Sequence, residues 1–164
     1  MNPRQYITPA NLRAAQALRR VPFPHMGPMD TRVWQAALKL GLVKFDRVEY
    51  DVRLGGAGAD LVAQHEDHKT MWETLLRKRV DVVGHRGKDI YVIEVKPVAG
   101  HSALGQCISY RDLWSKEKPG AVKPRAMCVC ALADPDLAPI YSTYGVDVVV
   151  LPPGLADDVL SGRA

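Results

Sequence analysis

The stretch "VDVVGHRGKDIYVIEVKP", residues 80–97, decides the fold. Two runs rich in Val, Ile and Tyr flank a short polar tip, the signature of a β-hairpin. Gly87 comes first in a two-residue loop with Lys88, which suits a type II′ turn. That turn predicts a register in which Arg86 faces Asp89, Val83 faces Val92, and Asp81 faces Glu94. Side chains directly opposed across two strands have Cβ atoms about 5 Å apart. Period-2 alternation puts Lys96 on the face of Glu94 and turns Tyr91, Ile93 and Val95 to the other face. Arg79 then falls opposite Lys96, a like-charge pair that a splay, a bulge or a nearby phosphate would relieve.

Two facing, partly buried carboxylates raise each other's pKa or need a cation between them. Lys96 can offset only one of them. Charge in the middle of a sheet is unfavourable unless compensated. A hard divalent cation fits, and Mg²⁺ commonly takes one or two carboxylates with waters and substrate phosphates. The alternative is a surface hairpin whose exposed face carries Asp81, Glu94 and Lys96 as a weak ion-pair cluster.

Outward from the hairpin, "RVEYDVRL" (47–54) alternates as a strand. "DTRVWQAALKLGL" (30–42) reads as a helix capped by Asp30, with Trp34, Ala37, Leu38 and Gly41 on one face. "SALGQCISYRDLW" (102–114) reads as a helix with Ser102 as N-cap. Buried strands are expected over 124–133 and 146–152, with a short helix over 135–145 between them, and the last dozen residues read as frayed. Thr8-Pro9 opens a helix over "PANLRAAQALRR". "VPFPHMGP" breaks it. "HEDHKTMWETLLRK" is a further helix ahead of the hairpin. Antiparallel pairing early and crossover helices late predict an α/β sandwich with a mixed sheet.

A chain of 164 residues suits one domain. Of its 22 basic residues, Arg4, Arg13, Arg19 and Arg20 lie in the first 29 positions, which hold no acid; the others balance the 18 acids. A basic arm over 1–29 beside a neutral domain over 30–164 points to a polyanion, or else to a solvated helix face. Cys107, Cys128 and Cys130 lack C-x-x-C spacing and read as buried thiols in a reducing compartment. No apolar run spans a bilayer and no signal-peptide core is seen, so a cytoplasmic, membrane-free protein is expected. "GGAGAD" lacks the Lys-Ser/Thr of a P-loop, so no nucleotide cofactor is expected. "HEDH" (65–68) offers two histidines to zinc without H-E-x-x-H spacing, and an exposed polar turn is the better reading.

Asp81 followed by Glu94-Val95-Lys96 resembles the PD-(D/E)XK nuclease superfamily, although Val80 stands where the pattern has proline. Gln106-x-x-x-Tyr110 is similar to the Q-x-x-x-Y element of RecB-like branches, and Asp30 with Arg32 to the opening of Holliday-junction-resolvase-like members. The resemblance covers roughly residues 30–151 and implies a restriction-endonuclease-like α/β fold, a mixed sheet flanked by helices in αβββαβ order. It implies an Mg²⁺-dependent deoxyribonuclease, with Mn²⁺ as substitute. Asp81, Glu94 and the Val95 carbonyl would be metal ligands. Asp30 or Glu49 would be the upstream acid. Lys96 would orient or deprotonate the water or stabilise charge on phosphate, and Gln106 and Tyr110 would place the DNA backbone. Arg4, Arg13, Arg19, Arg20 and Arg79 are the expected DNA contacts. Branched, flapped or free-ended DNA in recombination, repair or phage DNA processing is the implied substrate, with a homodimer by analogy to junction-cutting members. The alternative is a catalytically inactive DNA-binding or assembly module that keeps the nuclease fold.

Overall fold

The computed structural model describes residues 6–7, 23, 25–56, 71 and 75–163. The helix expected over 9–20, the four N-terminal arginines and the 65–68 histidines lie outside the described residues, as does most of the helix expected before the hairpin. Its described positions 71, 75 and 76 are helical.

In chain order the elements are β1 (Tyr6–Ile7), α1 (Pro28–Lys39), β2 (Arg47–Leu54), β3 (Lys78–Arg86), β4 (Asp89–Ala99), α2 (His101–Glu117), β5 (Arg125–Ala133), α3 (Ala138–Thr143), β6 (Val146–Val150) and α4 (Pro153–Ser161). The strands form one sheet in the order β1-β2-β3-β4-β5-β6. β1 to β4 pair antiparallel, and β4-β5 and β5-β6 pair parallel. This is the expected mixed α/β sheet flanked by helices. The two-residue β1 pairs with Glu49 and Val48 on β2, so part of the 1–29 arm extends the sheet.

Each face of the sheet carries its own core. One holds Trp34 and Ala37 of α1, Ala156 and Val159 of α4, and Tyr91, Ile93 and Val95 of β4. The other holds Ala103, Cys107, Tyr110 and Trp114 of α2 with Val83, Val92, Cys128 and Cys130. A strand covered on both faces can be apolar at every position, which is why β5 reads "AMCVCAL" without alternation. All three cysteines are free and buried, as expected. The first core is anchored by the Trp34 indole, which donates to the Tyr50 hydroxyl at 3.0 Å. Burial pushes the Tyr50 phenol up to about 12, with the Trp34 bond opposing it.

The hairpin has the predicted pairs Arg86-Asp89, Val83-Val92 and Val82-Ile93. Gly87 has φ +58° and Lys88 is not in the left-handed region, which is the pattern of a type II′ turn. Three boundaries differ from expectation. α1 starts two residues early with Gly27 as N-cap, and Asp30 sits at N3, where its carboxylate accepts the Gly27 N–H at 3.2 Å. Gly100, not Ser102, caps α2. The last residues are not frayed: Pro153 occupies the first helical turn, where its missing N–H has no partner to lose, and the face with Ala156 and Val159 is fully buried.

Gly84 on β3 lies under the Phe45 ring, and a Cβ there would stand 2.7 Å from two of its carbons. Gly84→Ala should therefore destabilise by roughly 1–3 kcal/mol, lowering Tm by about 2–4 °C for each kcal/mol. Adding Phe45→Leu should recover part of the loss. Thermal unfolding of the three chains checks this.

Candidate functional site

The β3-β4 ladder ends at Val82-Ile93, one residue before the predicted facing acids. From there the Asp81 carboxylate replaces the backbone: its Oδ2 accepts the Val95 N–H at 2.9 Å. β4 keeps pairing with β5 as far as Ala99, so it is β3 that departs. The same place interrupts the β2-β3 ladder, which has Tyr50-Val82 and Val52-Val80 but no pair between Asp51 and Asp81. Asp51 has φ +53°, a left-handed conformation that Asp tolerates better than most residues. Side-chain alternation slips there. Tyr50 and Val82 belong to the α1 core, whereas Val52 and Val80 belong to the α2 core.

Arg79 does not face Lys96. It makes two bonds to Asp51, Nε to Oδ1 at 2.6 Å and Nη2 to Oδ2 at 2.7 Å. The anticipated like-charge clash is thus relieved by the splay and by a neighbouring acid, and Arg79 is engaged within the fold. His25 Nε2 lies 3.1 Å from Asp51 Oδ2 and completes this flank.

Glu94 is 1% exposed. Its Oε1 pairs with Lys96 Nζ at 2.6 Å, and its Oε2 is buried without a hydrogen-bond partner among the described residues. Burial, then the charge of Asp81, pushes the Glu94 carboxyl up to about 7, against the pull of Lys96. Burial likewise pushes Asp81 up to about 6, opposed by the Val95 bond and Lys96 and reinforced by Asp30 and Asp51. Burial works to lower the Lys96 ammonium, but its bond to Glu94 and the charges of Glu94, Asp81 and Asp30 outweigh it and hold the pKa above the ordinary value. Lys96 therefore stands as a cation beside the two carboxylates.

Of the two upstream candidates, Asp30 is brought to the cluster: its charge acts on Asp81, Glu94 and Lys96. Glu49 is buried on β2 but is bonded by His85 Nε2 at 2.8 Å and Arg47 at 3.2 Å. On α2, Gln106 Nε2 donates to the Tyr110 hydroxyl at 3.0 Å, as the i, i+4 spacing predicts. Burial raises the Tyr110 phenol, and Glu94 adds to the shift, so the Gln-Tyr pair abuts the acid centre. Sequence reasoning did not single out Asp51 or His25. An aspartate in an alternating strand reads as an exposed polar position, and nothing in the residue pattern announces its positive φ.

Among the described residues, no three His, Cys, Asp or Glu side chains form a ready-made metal cage. The donor chemistry nevertheless suits a hard cation. Asp81 and Glu94 are hard oxygen donors, and the orphaned Glu94 Oε2 is a buried acceptor with no hydrogen-bond partner among the described residues. No described helix is long and apolar enough to cross a membrane. Comparison of the chain with protein-family models, with curated proteins and with solved structures returns no match.

The raised carboxyl groups set a pH dependence. Unfolded Asp and Glu titrate near 4. Between that value and about 6–7 the folded chain binds more protons than the unfolded one, so stability falls as pH rises. Without divalent cations, Tm should decline from about pH 4.5 to about pH 7.5 by this contribution, and Glu94→Gln should flatten the decline. A Tm series against pH for both chains tests it.

Proposed function

We propose that the chain is a metal-dependent deoxyribonuclease of the PD-(D/E)XK type, hydrolysing phosphodiester bonds at the Asp81–Glu94–Lys96 centre. The observation that carries this reading is the buried Glu94. Its one paired oxygen is held by Lys96, its other oxygen is orphaned, and Asp81 is fixed beside it through the Val95 amide. A hydrophobic core gains nothing from such a group, so a ligand that needs it is the physical explanation.

Asp81, Glu94 and the Val95 carbonyl would hold Mg²⁺, or Mn²⁺ in its place, with Asp30 as the further acid. When bound, the cation neutralises phosphate charge and lowers the pKa of a coordinated water. The chain supplies the remainder. Asp81 is positioned by a backbone bond, so its carboxylate needs little reorganisation. Lys96 presents a permanent positive charge to the charge developing on phosphate. Tyr110, oriented by Gln106, presents a hydroxyl at the edge of the centre toward the DNA backbone. The implied substrates are branched, flapped or free-ended DNA, in recombination, repair or phage DNA processing.

One observation favours the second reading, a non-catalytic DNA-binding or assembly module. The Lys96–Glu94 bond already neutralises part of the acid pair without a metal. The two readings separate in one assay of linear duplex, single strand, flap, four-way junction and supercoiled plasmid in Mg²⁺. The nuclease reading expects cleavage of at least one substrate, abolished by chelation and by Asp81→Ala. Lys96→Ala should lose on the order of 10²–10³ in rate, the usual effect of deleting one electrostatic stabiliser. Variants that cut at the wild-type rate would overturn this assignment. Binding without cutting, unaffected by Mg²⁺, would select the module.

A further inference from the structure

A second feature lies along one side of α2, beside the start of β3. A trough of about 660 Å³ lies there, lined by Lys78 from β3 and, on α2, by Gly105, Leu113 and Lys116 together with the acidic Asp112. Gln106 and Tyr110 line it as well, on the helix that packs against β4, the strand carrying Glu94 and Lys96. A hydrogen-bond chain runs along that helix. The Ser102 hydroxyl donates to Gln106 Oε1 at 3.3 Å, and Gln106 Nε2 donates to the Tyr110 hydroxyl.

Two features of the lining are unusual for a plain helix surface. Gly105 sits in the interior of a 17-residue helix, where glycine is unfavourable relative to alanine. No packing excuses it, because a Cβ built there meets nothing within 4 Å. A helix-interior glycine facing an open trough leaves room for a ligand to approach the backbone. Lys78 and Lys116 are the second feature. Neither side chain takes part in an ion pair or hydrogen bond among the described residues. Both line the trough, as does the apolar side chain of Leu113.

We propose that this trough carries an unpaired DNA strand to the Asp81–Glu94 centre, a proposal that rests on the nuclease reading. Two cations fit backbone phosphates, the carbon floor fits sugars and base faces, and the volume lies in the range of small-ligand sites, which suits one strand and not a double helix. Lys78 and Lys116 hold successive phosphates, Gly105 admits the strand, and Gln106 with Tyr110 hands it to the acid centre.

The test is fluorescence anisotropy of a labelled oligothymidylate on the full chain, with Ca²⁺ replacing Mg²⁺, over a salt series. Gly105→Leu should weaken binding at least tenfold with no fall in Tm, because the new side chain fills the trough and suits the helix. Lys78→Gln with Lys116→Gln should weaken binding and make the slope of log affinity against log salt shallower by about 0.7 per lysine. If wild type cuts DNA in Mg²⁺ but both variants bind like wild type, the trough proposal falls and the nuclease reading stands. Tighter wild-type binding to duplex than to single strand, with both variants unaffected, also overturns it. Should the wild type neither cut nor bind, both proposals fall.

Discussion

A single exchange of hydrogen-bond partners organises the molecule: the Val95 amide donates to the Asp81 side chain instead of to the neighbouring strand. An ordinary ladder would have continued past Val82-Ile93 and left a closed sheet. Satisfying the amide from a carboxylate lets β3 leave β4 without stranding a buried donor, which would be unfavourable by about 1–3 kcal/mol. Both consequences concern the candidate site. The acid is held by the β4 backbone one residue from Glu94, and β3 is free to bend away from β4. The left-handed Asp51 and its two bonds from Arg79 hold the other side of the same bend.

The electrostatics of the centre follow from burial more than from any one partner. Desolvation is the largest influence on Asp81, Glu94, Lys96 and Tyr110 alike. For the acids it opposes ionisation, and for Lys96 the neighbouring carboxylates overcome it. The centre is therefore a negative pocket with one fixed cation at its edge, unfavourable in the folded chain and relieved by any positive ligand. Such stored unfavourable charge is typical of functional positions, where local stability is exchanged for chemistry.

Much of this was legible because the relevant rules act over short distances. The turn at Gly87-Lys88 fixes the hairpin register as far as Val82-Ile93; the facing Asp81-Glu94 pair expected beyond it does not form, and Asp81 is held instead by the Val95 amide. The i, i+4 spacing pairs Gln106 with Tyr110. What was not legible depends on context. Asp30 as an N3 residue follows from Gly27 opening α1 earlier than the polar residues suggested. The role of Asp51 follows from one backbone angle, which its identity permits but does not dictate. α4 was read as a frayed tail because chain termini are commonly poorly ordered, whereas Pro153 in its first turn favours a helix start. Its apolar face is short, and the surfaces of α1 and β5 that cover it give it reason to be a helix.

The strictly sequential strand order has a consequence for how the centre arises. Asp81, Glu94, Lys96, Gln106 and Tyr110 all come from one hairpin and the helix that follows it. Their mutual contacts span few chain positions, so little loop entropy stands against assembling them. Such low-separation contacts form early in folding. The candidate site is thus a compact stretch of chain, with Asp51 and Arg79 holding its bend from the neighbouring strands.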